Sequence, residues 1–387
     1  MKTELPSGTS PNRGVAFALQ KGGQTGPRTG MLRIGGVDVP TPVFMPVGTR
    51  ATVKALGSED LEAIGARLIL GNTYHLHLRP GSDLIERRGG LHDFMSWRGG
   101  ILTDSGGFQV HSLSRFRKIE ADGVRFRSHL DGSRHFFTPE RVVDIQSELG
   151  SNIRMVLDVC TTYPADEKQT AEEMAITLRW AERSIKHREK KKREGTWDGA
   201  LFGIVQGGIY GSLRDKCAHE LAGMGFDGYA IGGLSVGEPA ELRAEPMDAS
   251  LAIMPAELPR YLMGVGTPLD ILDAVGRGVD MFDCVLPTRN ARKGTIFSWQ
   301  GKKIIKNQVY AEDNRPIDET CGCPVCQRYS RAYLRHLFQV GEQLGGRLAS
   351  IHTLAFYLQF MARMREAIAE ERFAEFAADV RERFATK

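Results

Sequence analysis

Cys321, Cys323 and Cys326 sit within six residues of one another in T-C-G-C-P-V-C, a spacing that can aim three thiolates at one point. A tetrahedral metal takes four ligands, and the histidines that follow are His336 and His352. His352 is the favoured fourth ligand. It lies in S-I-H-T-L-A-F, read as the opening turn of a long amphipathic helix continuing through Leu354, Phe356, Leu358 and Met361, and a more distant partner closes a larger loop. His336 competes from the middle of a helical R-H-L-F stretch. The set C-x-C-x2-C-x25-H suits four-coordinate zinc, one ion per chain. With four protein ligands no coordination position stays open for water, so such an ion is structural. A zinc deaminase would need P-C-x-x-C and a nearby H-x-E; here the proline follows its cysteine, and the upstream His187-Arg188-Glu189 lies far away in a charged segment.

A second set of chemical residues is acidic. Asp104, Asp158 and Asp283 each stand at or near the end of a short apolar run, as do Gln206 and the pair Gly232-Gly233. Eight such runs recur, at 42–48, 67–72, 100–104, 154–158, 200–206, 228–233, 260–266 and 280–285, with helical patterns filling most of the gaps. Met174, Leu178, Ala181 and Ile185 mark one helix face. Another helix has Thr267 as N-cap, Pro268 in its first position, Asp270 behind the cap and Leu269, Leu272 and Val275 as its inward stripe. The pattern predicts an α/β fold of the (β/α)8 barrel type, with a doubly wound sheet as the alternative. In a barrel the C-terminal strand ends form the mouth where chemistry occurs, and three carboxylates gathered there repel one another unless a ligand or proton compensates.

Gly106-Gly107, Gly207-Gly208 and Gly232-Gly233 directly follow strand runs, allowing the backbone to close on a flat ligand such as a nucleobase. No G-x-x-x-x-G-K-[ST] phosphate loop occurs. Two carboxylates beside a sugar suit glycosidic chemistry, one attacking the anomeric carbon and the other handling protons. A third carboxylate with an amide can read the N–H edge of a guanine.

Two stretches break the rhythm: 105–140 reads as an insertion with hairpin character, and 286–350 holds a basic run and the cysteines. The net charge of +4 is too small to mark a nucleic-acid binder by itself. Its distribution is more telling, since Arg289, Arg292, Lys293, Lys302, Lys303 and Lys306 follow one another with no acid between them. The run K-H-R-E-K-K-K-R at 186–193 reads instead as the solvated, basic end of a helix. Residues 1–13, polar with Pro and Gly, read as a disordered extension. The opening residues hold no apolar core of a signal peptide and no apolar run reaches membrane-spanning length, so the expected location is cytoplasmic.

Together, L-T-D-S-G-G-F-Q-V, S-H-L-D-G-S, Y-A-I-G-G-L-S-V-G-E, Y-L-M-G-V-G, D-M-F-D-C-V-L-P-T-R and the Cys3His pattern resemble the bacterial tRNA-guanine transglycosylase (queuine tRNA-ribosyltransferase) family, from about Gly30 to the C-terminus. The resemblance implies a barrel over 14–387 with a zinc-binding, tRNA-contacting subdomain at about 286–352 inserted after the eighth strand. It implies exchange of the anticodon wobble guanine of certain tRNAs for 7-aminomethyl-7-deazaguanine, in queuosine biosynthesis. Asp283 would be the nucleophile and Asp104 the general acid/base. Asp158, Gln206, Gly233 and Leu234 would hold the base edge, and Phe108 and Met263 its faces. Arg289 and Arg292 would grip neighbouring nucleotides, while Lys302, Lys303 and Lys306 would meet phosphates. A homodimer would help seat the tRNA. Val159 departs from the Glu usual in the family, and His111 from a usually apolar residue. Cys160 and Cys284 read as small pocket-lining residues rather than nucleophiles. Two rival readings are a non-catalytic tRNA-binding subunit, which would typically lack the full set of aspartates, and a metal-dependent barrel hydrolase, for which His75 and His77 are the nearest ligand candidates.

Overall fold

The computed structural model describes residues 14–113 and 116–385; the extension at 1–13 lies outside the described residues. The chain opens with an antiparallel sheet of β1 (Val15–Lys21), β2 (Thr29–Ile34) and β3 (Val37–Thr41), a region to which the sequence pattern assigns no element. The barrel begins with β4 (Val43–Met45) and β5 (Val47–Gly48), two halves of the first predicted strand. They are parted at Pro46, which lacks an N–H for the ladder but whose carbonyl still accepts from the Leu70 N–H at 3.0 Å. Then come β6 (Leu68–Gly71) and β7 (Gly100–Thr103).

The insertion after β7 holds a helix, Gly107–Leu113, and an antiparallel sheet of β8 (Arg117–Glu120), β9 (Gly123–Arg127) and β10 (Arg134–Phe137). The predicted hairpin is its β9–β10 arm. The remaining barrel strands are β11 (Ile153–Met155), β12 (Ala200–Val205), β13 (Gly228–Ile231), β14 (Arg260–Leu262) and β15 (Met281–Asp283). A further hairpin, β16 (Thr295–Ser298) with β17 (Gly301–Ile304), follows the short helix Leu286–Ala291.

The sheet order β4-β15-β14-β13-β12-β11-β7-β6-β5 closes on itself, because β4 and β5 belong to one segment. All eight predicted runs are therefore strands of one parallel barrel, and the doubly wound alternative is wrong. Most barrel strands are buried along their whole length, which is why they read as continuous apolar runs rather than alternating ones.

The helix Pro268–Arg277 starts as the sequence indicates. The Asp270 N–H donates to Thr267 Oγ1 at 3.2 Å, the Thr267 hydroxyl returns to Asp270 Oδ2 at 2.6 Å, and Gly278 ends the helix in the left-handed region at φ 103°. Met174, Leu178 and Ala181 are buried on the helix Glu167–Arg193, with Ile185 half-buried. Its basic end is only partly the solvated face expected. Arg188 is buried and reaches Asp227 at 3.1 Å, while His187 and Lys191 both reach Asp144 at 2.8 Å.

The C-terminal helix Gln343–Ala369 also differs from expectation: His352 lies well inside it, not in its opening turn. Gly345 and Gly346 extend the helix rather than ending it, because a Cβ at Gly345 would stand only 3.1 Å from Leu337 Cβ. The missing side chain lets the preceding helix, Arg331–Gln339, pack close. Among the described residues no helix is long and apolar enough to cross a membrane.

Candidate active site and metal centre

The ends of β6, β7, β11, β12, β13, β14 and β15 supply the mouth. Asp104 follows β7 directly and is buried. Its Oδ1 accepts the Thr73 N–H at 2.8 Å and its Oδ2 the Asn72 side-chain amide, both from the end of β6. Burial, reinforced by the nearby Asp283 charge, pushes the Asp104 carboxyl up to about 7 in spite of those two bonds.

Asp283 ends β15. Tyr261 donates its hydroxyl to Oδ1 at 2.5 Å, and the Gly264 N–H donates to the same oxygen at 2.8 Å. Burial raises this carboxyl too, and the two donors work against the rise. Both bonds converge on Oδ1.

Asp158 is buried just beyond β11, with Ser105 donating to Oδ1 at 2.9 Å and the Gln206 amide to Oδ2 at 2.8 Å. Gln206 in turn leaves its Oε1 buried and without a hydrogen-bond partner among the described residues. Gly233 lies against that oxygen: at φ 64° a Cβ there would come within 2.4 Å of Gln206 Oε1. Glycine is required on both counts. Gly107 is similar, since a Cβ would meet the Asp158 carbonyl at 2.7 Å. The Leu234 side chain is turned elsewhere. It is buried against a separate cavity lined also by Met247, Leu262 and Val265, so only its backbone is free to meet a ligand in the mouth. Phe108 stands 50% exposed on the helix Gly107–Leu113, and Met263 follows β14 half-buried.

Asn72, Thr73, Ser105 and Tyr261 carry no sequence signal of a role here, yet they hold the three carboxylates. Asn72 closes the L-I-L-G-N run and Tyr261 lies inside R-Y-L-M; nothing local marks either as a partner of an Asp more than twenty residues away. Val159 points into the core, its N–H donating to Thr177 Oγ1 at 3.0 Å. Burial lifts the Cys160 thiol to about 12 and the Cys284 thiol to about 11, which suits inert lining residues. His111 is half-buried, its Nε2 paired with Thr162 Oγ1 at 2.9 Å.

Beside the mouth, Arg289 is exposed on the helix Leu286–Ala291 and Arg292 caps its end half-buried, its pKa lowered by burial and by Arg289. Arg292 Nη1 has no hydrogen-bond partner among the described residues. Lys302 and Lys303 lie on β17 and Lys306 just after it; Lys302 and Lys306 are exposed and Lys303 half-buried.

The metal-ligating atoms of Cys321, Cys323, Cys326 and His352 all lie within 4.8 Å of one another. His352 Nδ1 is 3.2 Å from Cys326 Sγ and 3.6 Å from Cys323 Sγ. Its Nε2 pairs with the Phe297 carbonyl at 3.0 Å, an interaction that places the ring proton on Nε2 and leaves Nδ1 bare for a metal. The donor set fits a tetrahedral ion held wholly by protein. His336 is exposed on the preceding helix and takes no part. Among the described residues no other cluster of metal-ligating groups has such geometry. His75 and His77 stand on the helix Thr73–Leu78, and among the described residues neither belongs to a group of side chains placed to share a metal ion.

A closed parallel barrel with carboxylates at its C-terminal mouth and a separate Cys3His group able to hold a metal defines a barrel enzyme whose candidate metal centre shares no residue with its carboxylate site. The comparisons with known proteins narrow this further. The family model for queuine tRNA-ribosyltransferase matches residues 24–386. The chain is 55% identical over 358 residues to the queuine tRNA-ribosyltransferase of Thermoanaerobacter sp. (strain X514), covering 92% of this chain and 94% of that protein. It is 57% identical over 341 residues to the one from Lawsonia intracellularis, covering 88% and 91%. The chain belongs to the queuine tRNA-ribosyltransferase family, a family of pentosyltransferases.

Proposed function

We propose that the protein exchanges the wobble guanine in the anticodon of queuosine-type tRNAs for 7-aminomethyl-7-deazaguanine, by two displacements at ribose C1′. In the first, Asp283 attacks C1′ through its unencumbered Oδ2. The C1′–N9 bond breaks, its electron pair leaves with guanine, and Asp104 delivers a proton to the departing base. In the second, Asp104 takes the N9 proton of the incoming base, N9 attacks C1′, and the C1′–O bond to Asp283 breaks. Two inversions retain configuration, and one N-glycoside replaces another, so no nucleotide hydrolysis is needed.

The observation that carries this reading is the pairing of Asp104 and Asp283 in one mouth, the former poised at about 7 with the latter's charge among the causes. A group half-protonated near neutrality can give a proton in one step and recover it in the next. Asp158 and the bare Gln206 Oε1 supply acceptors for a guanine-type N–H edge, beside the closely approaching backbone of Gly233 and Leu234, with Phe108 and Met263 at its faces. Arg289 and Arg292 hold the adjoining nucleotides, and Lys302, Lys303 and Lys306 the phosphates. Cys321, Cys323, Cys326 and His352 hold one zinc ion, which when bound braces the fold of a subdomain spanning about 286–352 within the 14–387 barrel unit. The protein works in the cytoplasm as a homodimer.

Purified protein incubated with tRNA in the absence of a free base should trap an adduct stable to denaturant, and Asp283→Ala should abolish it. Adducts persisting in that variant would show the nucleophile to be another residue. Labelled guanine entering tRNA with this protein alone would dismiss a non-catalytic tRNA-binding subunit; failure of incorporation would favour it.

A further inference from the structure

The inserted sheet β8–β10 has an outward face that the site above does not use. Val124, Phe126 and Phe137 are buried on its inner side. The register sets Lys118 directly opposite Arg125, and Arg134 directly opposite Arg127. Like charges opposite each other on one sheet face destabilise it. Glu120 serves two of these cations, reaching Lys118 at 3.4 Å and Arg125 at 3.1 Å. The other acids of the insertion are engaged elsewhere: Asp122 pairs with Arg183 at 3.2 Å, and Asp131 accepts from Ser133 at 2.7 Å. Two of the guanidinium groups lie on phenyl rings, Arg125 at 3.9 Å from the centre of Phe136 and Arg127 at 5.5 Å from that of Phe116. Phe116 is 68% exposed.

The sheet is also fixed to the elements that hold the reacting carboxylates. His129 Nδ1 pairs with the Tyr74 hydroxyl at 2.8 Å, and His135 Nδ1 with His77 Nε2 at 3.2 Å. Both partners stand on the helix whose first residue, Thr73, binds Asp104. Gly106 presses on the sheet as well, since a Cβ there would lie 3.2 Å from the Phe137 ring.

We propose that the outward face of β8–β10 is an additional landing surface for the tRNA, with Lys118, Arg125, Arg127 and Arg134 gripping the phosphodiester backbone away from the exchanged nucleotide. This rests on the reading of the protein as a tRNA-modifying enzyme. A polyanion relieves both cross-strand cation pairs at once, and planar guanidinium groups braced on aromatic rings suit phosphate recognition. The opposed cations weaken the free fold and strengthen the complex.

The test is the double variant Lys118→Gln, Arg134→Gln in the full, metal-loaded chain, titrated with purified tRNA across a series of KCl concentrations. Removing one cation from a phosphate lowers the slope of log Kd against log [KCl] by roughly 0.7–0.9, so the slope should fall by about 1.4–1.8 for the two. The melting temperature should hold or rise, because like-charged neighbours are removed. An unchanged slope and affinity would overturn the proposal and point to an acidic protein as the occupant. A drop in melting temperature would overturn its electrostatic premise. Failure of the unsubstituted protein to bind tRNA would be a different result, one that defeats the functional reading itself.

Discussion

Asp104→Asn should make the protein more stable while stopping its chemistry, and the gain should grow with pH. The carboxyl is held at about 7 in the fold against an ordinary value of 3.8. Because the folded pKa is raised, the native state keeps the proton between about pH 4 and 7 while the unfolded chain gives it up, so stability falls with rising pH across that window. At 1.36 kcal/mol per unit, the ionisable group costs about 2 kcal/mol at pH 5.5 and about 4 kcal/mol at pH 8. Asparagine has the same shape: its carbonyl can accept the Thr73 N–H, and a turned Asn72 amide can accept from its NH2. The variant therefore escapes the cost without losing the two bonds. Over a chain of this size, the extra 2 kcal/mol or so between the two pH values is worth about 2–3 °C in melting temperature. Thermal denaturation of parent and variant at pH 5.5 and 8, alongside guanine exchange into tRNA, checks both halves. A difference in melting temperature that is the same at both pH values would refute the raised pKa. Normal exchange by the variant would refute the proton-transfer role.

Tyr261→Phe removes the 2.5 Å donor to Asp283 Oδ1 and leaves the Gly264 N–H as the other partner. That donor is one of the two bonds that orient the carboxylate, so single-turnover adduct formation at saturating pH should slow through lost positioning, by up to roughly 100-fold, and its acidic limb should move to higher pH as the Asp283 carboxyl becomes harder to ionise. Metal analysis should find one zinc ion per chain, and Cys323→Ser or a strong chelator should remove it and lower the melting temperature. tRNA affinity should fall further than affinity for free guanine, as expected of an ion that braces the basic surface beside β16–β17.

The barrel is legible in the sequence because burial on both faces writes each strand as an apolar run and a mouth residue punctuates its end. Thr267-Pro268-Asp270 announces its helix for the same local reason, a cap satisfying its own N–H groups. What escapes is non-local. β1 alternates only between half-buried and exposed positions, β2 and β3 show no regular alternation, and the buried pair Arg28–Asp280, with Arg28 Nη2 2.6 Å from Oδ2, joins residues far apart in the chain. The start of the helix bearing His352 is misplaced by its pattern because its two glycines serve close packing. At the site, the aspartates are visible as acids at strand ends, but Asn72 and Tyr261 become their partners only when neighbouring strands come together.

Those partners also separate three carboxylates of one chemical type into three capacities. Asp158 has a donor on each oxygen, from Ser105 and Gln206, and so is fixed in direction, as a group that reads an edge must be. Asp104 likewise has both oxygens bonded, yet its burial beside Asp283 outweighs those bonds and leaves it able to exchange a proton near neutrality. Asp283 receives both of its bonds on Oδ1, which restrains the carboxylate and leaves Oδ2 for a carbon centre. The roles are not interchangeable on these grounds: each Asp158 oxygen has a lone pair engaged by Ser105 or Gln206, whereas Asp283 has its own ionisation favoured by donors that all converge on one oxygen. The proposed division of labour therefore rests on the hydrogen-bond partners, and substituting a partner should alter one capacity while leaving the carboxylate itself in place.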